Sequence, residues 1–188
     1  ADVAERRVRD GFGADDREVV LLGRCADLVH DVDLAAGTRL REISSDEDWE
    51  RVRVSVDTVW GEDTSWVNDA LRAEQRRDPD LLTAVVVEHA DTLEVLSYAV
   101  LRLTPGTDFC GLWGGSTLEQ WRGLGLYRAL VTHRARVALD RGYRYARVDT
   151  SPDSRPILTG LGMHAVADTR PYLLEPSRVA PEAGSHTP

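Results

Sequence analysis

Gln120-Trp121-Arg122-Gly123-Leu124-Gly125-Leu126-Tyr127-Arg128 is the stretch of this 188-residue chain whose residue types and spacing imply chemistry most directly. An apolar, strand-like run from Cys110 to Leu118 leads into it, and a helical pattern from about Leu124 to Asp140 leads out. A strand that turns directly into a helix leaves several backbone N–H groups aimed at one spot without intrahelical acceptors. The helix dipole adds partial positive charge there, so the spot suits a phosphate. Gly123 and Gly125 let the backbone turn and let a ligand approach closely. The same pattern also serves as a plain tight connection with no ligand. Two common phosphate binders are excluded by their absent motifs. There is no Gly-x-x-x-x-Gly-Lys-(Ser/Thr), and the third glycine and early strand–turn–helix unit of a dinucleotide fingerprint are missing.

The surrounding pattern supplies the elements that must position this turn. Leu81 to Glu88, Leu93 to Leu103 and Phe109 to Leu118 read as three strands, separated by Ala90-Asp91 and Pro105-Gly106-Thr107-Asp108. Such short separations predict antiparallel hairpins. On the helix after the turn, Leu126, Leu130, Val137 and Tyr127, Val131, Ala138 form two adjacent apolar rows, a broad stripe for packing on a sheet. A strand follows from Tyr143 to Asp149, so the helix is expected to make a right-handed crossover to a parallel partner. Upstream, Arg17 to Arg24, with its apolar run Val19 to Leu22, and Thr38 to Ile43 read as strands. Ser45 and Asp48 are placed as a capping pair for a helix carrying Trp49, Val52, Val56 and Val59. A second helical segment runs from Trp60 to Asp78, and Val166 to Asp168 and Tyr172 to Glu175 are expected to complete the sheet. The expected class is α+β (mixed α/β): a mostly antiparallel twisted sheet, one parallel pair beside the glycine turn, and about four helices.

Gln120-x-x-Gly123-x-Gly125 resembles the (Gln/Arg)-x-x-Gly-x-(Gly/Ala) signature of the GNAT superfamily, the acetyl-CoA-dependent N-acetyltransferases. The downstream run Ser151-Pro152-Asp153-Ser154-Arg155-Pro156-Ile157-Leu158-Thr159-Gly160-Leu161-Gly162-Met163 is similar to the short helix and Leu-Gly-Phe-like ending that closes many such domains. The resemblance covers Thr38 to Pro176 and is sharpest from Leu112 to Met163. It implies a domain over residues 35–176, preceded by a strand-containing extension (1–34) and followed by a loose tail (177–188). It implies acetyl transfer from acetyl-CoA, as co-substrate, to a primary amine of a small molecule or peptide by direct attack. It also implies that backbone N–H groups of Arg122, Gly123, Leu124, Gly125, Leu126 and Tyr127 hold the pyrophosphate, with Gln120 and Arg128 assisting. Thr117 and Leu118 would pair with the amide-rich pantetheine arm, and Ser151 stands where the family often has an Asn at the start of the closing helix.

The family's catalytic groups are less evident. Many members carry a general-acid Tyr four residues before the glycine of the closing motif; here that position is Leu158. A carboxylate frequent early in the central strand corresponds to Gly111. Ser154 is a substitute donor near the expected thioester, or a helix cap. Tyr127 replaces a small residue, and its hydroxyl reaches toward cofactor or thioester or packs in the core. Glu62 and Asp63 lie in the segment that shapes the acceptor site in this family, where they bind a cationic amine or are solvated. Trp60, Trp66 and Trp113 line an apolar acceptor pocket or belong to the core; Trp121 packs on the cofactor or covers the core. His133 reads as a structural histidine between Leu130 and Val137. A catalytically degenerate acyl-CoA-binding module is the alternative function.

Composition sets outer bounds. The net charge of −9 gives no electrostatic reason to bind nucleic acid and favours encounter with cationic substrates. No apolar run approaches membrane-spanning length, and Ala1 to Asp10 is too polar for a secretory leader. Cys25 and Cys110, far apart and without a His cluster, give neither a zinc site nor a disulfide framework, so a reduced cytoplasmic setting is expected. No metal is expected, and a homodimer is allowed. Finally, Gly11-Phe12 with the strand Val19 to Leu22 is similar to Gly162-Met163 with Tyr172 to Leu174. The similarity suggests that residues 1–34 are the closing hairpin of a preceding GNAT-like half, with their strand pairing with a sheet edge in its own chain or in a partner.

Overall fold

The computed structural model describes residues 2–174. The chain begins with helix α1 (Val3–Arg9), a short strand β1 (Gly13–Ala14) and strand β2 (Glu18–Arg24). A single 3₁₀ turn and an extended stretch lead to β3 (Thr38–Ile43), then α2 (Asp46–Trp60) and α3 (Ser65–Arg77). The centre is β4 (Leu82–His89), β5 (Val95–Leu103) and β6 (Phe109–Thr117), followed by α4 (Leu126–Asp140) and β7 (Tyr145–Thr150). Helix α5 (Ser154–Gly160), β8 (His164–Thr169) and β9 (Tyr172–Leu173) close the described chain.

Seven strands form one sheet in the order β3-β4-β5-β6-β7-β2-β8. All neighbours are antiparallel except β6 and β7, the pair joined through α4. The expected α+β class, antiparallel hairpins and single parallel pair are therefore present, with five α-helices rather than about four.

The sequence accounts for the layers. Alternate residues of β4 face opposite sides: Ala84 and Val86 pack with Trp49, Val52 and Leu71 of α2 and α3, whereas Val85 and Val87 pack with Leu126 and Leu130 of α4. A strand covered on both faces must be a nearly continuous apolar run, and β4 is buried from Leu82 to Glu88. Each fully buried Leu or Val contributes roughly 1.5–3 kcal/mol to holding these layers together. Helix α2 starts where expected, because the Ser45 Oγ accepts from the Asp48 N–H at 3.1 Å.

The N-terminal strand pairs within its own chain: β2 lies inside the sheet, against β7 on one side and β8 on the other. One expectation at the C-terminal end is corrected. The segment at Tyr172 does not complete the main sheet, since β9 pairs with β1 in a separate two-stranded ribbon. The polar pattern of Ala1 to Asp10 also concealed helix α1, which buries none of its residues. Cys25 and Cys110, distant in sequence, meet in the core with 3.8 Å between their sulfurs. No helix among the described residues is long and apolar enough to cross a membrane, and no cluster of potential metal ligands occurs among them.

Candidate functional site

Strands β6 and β7 pair only from Phe109 to Gly111 with Tyr145 to Arg147. Beyond Gly111 they separate, so Leu112–Thr117 has no ladder partner on its β7 side. A free strand edge inside a sheet exposes main-chain donors and acceptors to whatever enters the gap. On its other side β6 is also irregular: the register shifts between Tyr98 and Val100, with Gly114 and Gly115 in the extra length opposite.

The glycine turn stands at the end of this gap. Leu118 is buried, Glu119–Trp121 makes one 3₁₀ turn, and α4 begins at Leu126, two residues later than the pattern suggested. Gly123 and Gly125 have φ of +78° and +81°, values that only glycine adopts without strain. Among the described residues, none accepts a hydrogen bond from the N–H groups of Gly123 to Arg128; the first helical bond nearby is Ala129 N–H to Gly125 O. Six consecutive donors thus stand at the positive end of a 15-residue helix with no acceptor among the described residues.

The side chains around the turn divide sharply. Gln120, Arg122 and Arg128 are exposed. Arg122 folds back, its Nε donating to Thr117 O at 3.2 Å, and the Thr117 hydroxyl lies 2.8 Å from that of Ser97. Ser151 is exposed, and Ser154 opens α5 with its N–H directed at Ser151 Oγ, 3.4 Å away. Its contacts are those of a helix start. Leu158 is fully buried in the core. Tyr127 lies flat against β6: a Cβ built on Gly115 would be 2.4 Å from Tyr127 Cε2. Burial pushes the Tyr127 phenol pKa up, and the neighbouring Arg134 pulls it partly back.

Arg134 is the residue that sequence reasoning missed. It is 1% exposed, and no carboxylate pairs with it among the described residues. Its Nε donates to Leu130 O at 3.1 Å, and its Nη1 to Val100 O at 2.9 Å and Trp113 O at 3.3 Å. The guanidinium thus bonds carbonyls of both strands that flank the bulge. Its Nη2, the Tyr98 hydroxyl and the Ser116 hydroxyl are buried without a hydrogen-bond partner. One row of the apolar stripe is interrupted here: Arg134 follows Tyr127 and Val131 at spacings of seven and three, which was the available signal. His133, by contrast, does not sit in the core. It is partly exposed, 3.0 Å from Glu42 Oε1.

The remaining candidates are solvated. Trp60 and Trp66 are 62% and 75% exposed at the α2–α3 junction. Trp113 stacks under the Arg102 guanidinium at 4.5 Å. Glu62 is exposed, and Asp63 accepts from Ser65 N–H at 2.9 Å, which holds its carboxyl below the usual range. Two surface concavities lie elsewhere, one beside Arg24, Leu139 and Arg144 and one beside Ile43, Gln75 and Arg141.

The sequence matches no family model and no curated protein. Solved structures do match. A GCN5-related N-acetyltransferase from Sphaerobacter thermophilus superposes with a TM-score of 0.68 at 16% identity, over 90% of this chain and 53% of its own. A tandem GNAT protein from the clavulanic acid biosynthesis pathway gives 0.62 at 17%, over 89% and 55%. AAC(6')-Iy, in complex with the bisubstrate analogue CoA-S-monomethyl-acetylneamine, gives 0.58 at 21%, over 69% and 92%. This chain therefore spans about half the length of the two larger proteins. Its fold is that of the GNAT superfamily.

Proposed function

We propose that this chain binds acetyl-CoA across the β6–β7 gap and the α4 turn and transfers its acetyl group to an amine of a small molecule or peptide. The observation that carries the reading is the coincidence of two unfilled main-chain surfaces: the free edge of β6 and the six unpaired N–H groups of Gly123 to Arg128. The first matches an amide-bearing arm and the second a pyrophosphate, and they are adjacent in the order in which CoA presents those groups. The GNAT fold supports the same placement.

In this reading Gly123, Leu124, Gly125, Leu126, Tyr127 and Arg128 hold phosphate through their backbone, and the exposed Arg122, Arg128 and Gln120 lie within the same turn. Thr117 and Leu118 lead the arm inward. Ser151 and Ser154 stand just beyond β7, at the start of α5. Direct attack requires a neutral amine and stabilisation of the thioester oxygen as charge develops. Leu158 offers neither acid nor base, so bulk water and the Ser154 hydroxyl are the proton route assigned here. The net charge of −9 favours a cationic amine, and Glu62 and Asp63 are exposed carboxylates within the variable α2–α3 junction. The GNAT unit is assigned to residues 35 onward, with residues 1–34 as an added arm.

The test is direct. A ligand bound only by the folded state stabilises it by RT ln(1 + [L]/Kd), about 2.7 kcal/mol at a hundredfold excess. Millimolar acetyl-CoA is expected to raise the thermal midpoint, and a panel of amines to release CoA thiol. Absence of any thermal shift removes the CoA reading altogether. A shift without thiol release from any amine leaves binding and removes catalysis.

A further inference from the structure

The two ends of the described chain are copies of one another. A shift of 151 residues carries α1 (Val3–Arg9) onto α5 (Ser154–Gly160). The same shift carries Gly11, with φ of +91°, onto Gly162, with φ of +97°. It also carries three backbone bonds: Asp10 N–H to Arg6 O, Gly11 N–H to Val8 O and Phe12 N–H to Arg7 O recur as Leu161 to Ile157, Gly162 to Thr159 and Met163 to Leu158. Most tellingly, it carries strand register. In the main sheet Leu21 faces Ala165 and Leu22 faces His164. Shifting the first member forward and the second back gives Tyr172 facing Ala14 and Leu173 facing Gly13, which is the observed β1–β9 pairing. Helix-to-strand packing follows too. Leu158 and Leu21 share one core cluster, and their counterparts Arg7 and Tyr172 stack with the guanidinium 5.6 Å from the ring.

We infer that the β1–β9 ribbon is the rim of a second GNAT-like sheet, and that residues 2–23 are the closing arm of a unit preceding this one in the same polypeptide. Each unit lends its last strand to the other. β2 belongs by descent to the preceding unit but fills the slot between β7 and β8 here. β9 belongs to this unit but pairs with β1, the counterpart of β8. The repeat then fixes the occupant of the free edge of β9: an antiparallel strand equivalent to β7. Because β7 runs into α5 through only three residues, the equivalent strand runs directly into α1, which places it in the same polypeptide. The surface agrees. Leu173 and Leu174 are 59% and 50% exposed, and α1 carries exposed Val3 and Val8 while burying nothing, whereas α5 buries Leu158. The larger GNAT structures match 89–90% of this chain and AAC(6')-Iy only 69%, the difference expected if the arms recur in the longer proteins.

The experiment compares residues 1–188 with the natural polypeptide as its reading frame encodes it. Amide exchange at Leu173 and Leu174 is expected to be about a hundredfold slower in the natural polypeptide than in residues 1–188, because an edge becomes an interior strand. Equal rates overturn the inference. So does a homodimer of residues 1–188 that protects the same amides, or a reading frame with no such unit ahead of Ala1. A second measurement needs no partner. Removing residues 170–188 from the isolated chain is expected to shift its thermal midpoint by less than about 2 °C and to leave the β2 amides protected, since β9 lies outside this unit's sheet. A fall of more than about 5 °C would show that β9 closes its own unit, and would overturn the exchange.

Discussion

Two arginines mark two regions of the sheet that treat a charge in opposite ways. On the β3–β4 side, Arg41 donates to both oxygens of Asp48, at 2.9 and 2.5 Å, and to Glu88 at 2.8 Å. Arg39 adds a bond to Glu88 at 2.7 Å, so a carboxylate with no exposure is fully partnered. On the β5–β6 side, Arg134 is more deeply buried and is bound only by backbone carbonyls, with one nitrogen idle. The first region is a closed account of charge, and its job is to fix α2 against the sheet. The second holds open a distortion that regular pairing would have closed. Burial lowers the Arg134 pKa from its ordinary value, a cost tolerated where the guanidinium bonds carbonyls of both strands at the bulge. Satisfied polar groups stabilise; this unsatisfied cluster beside the β6–β7 gap is where the molecule departs from that rule.

The largest expected effect comes from removing the guanidinium. Arg134→Ala leaves Val100 O and Trp113 O bare and opens a cavity, a loss of about 4 kcal/mol in urea unfolding. Arg134→Met, which fills the volume without a donor, is expected to lose about 2 kcal/mol, the part due to the two carbonyls. If Arg134→Met is as stable as the parent, the carbonyls need no donor and the contrast between the two arginines collapses. Because the guanidinium stays charged throughout, this loss is expected to be the same at pH 4 and pH 7.

Much of this contrast was hidden in the sequence for a definable reason. Elements governed by local periodicity were legible: the alternation and burial of β4, the Ser45 cap and the positive-φ glycines at the α4 turn all follow from spacing. The parallel pair followed from the crossover through α4. What spacing does not encode is the partner across a bulge. By spacing, His133 lies between Leu130 and Val137 as a structural histidine, and nothing in that spacing shows that Arg134, one position on, reaches the sheet's carbonyls. Long Arg side chains resemble solvated ones until a carbonyl is found for each nitrogen. The C-terminal strand was hidden likewise, since its register is set by the opposite end of the chain and only Gly11-Phe12 and Gly162-Met163 hinted at it. Leu158, read as a lost catalytic position, has a sufficient explanation as core.

A smaller effect separates the regions by pH. Arg41, then Arg51 and Ser45, hold the Asp48 carboxyl well below its ordinary 3.8 despite burial. Burial alone would push Glu88 up, but Arg41 and Arg39 outweigh it and leave it below 4.5. Both folded-state values are depressed, so their stabilisation is present above about pH 4.5 and is lost as pH falls through the lowered values. Glu88→Gln is expected to cost about 2 kcal/mol at pH 7, discounted because Arg39 and Arg41 retain access to water. That difference is expected to shrink steadily between pH 4.5 and pH 2. A difference that stays constant on acidification would remove the charge from the explanation and leave only shape.

The least effect tests whether the bulge is rigid or yields. Gly115→Ala brings a methyl to 2.4 Å from the Tyr127 ring, and an aromatic ring held between α4 and β6 has no free end to swing away. Overpacking of this kind costs about 1–2 kcal/mol. In a Tyr127→Leu background the same methyl meets a smaller, flexible side chain, so the two changes are expected to couple by about 1 kcal/mol in a double-mutant cycle. Strict additivity would mean that β6 shifts to absorb the methyl. The gap between β6 and β7 would then be an adaptable opening, and the idle hydroxyls of Tyr98 and Ser116 would reflect local slack. Coupling instead makes Tyr127 the fixed wall of that gap, set by a glycine on one side and by the buried Arg134 on the other.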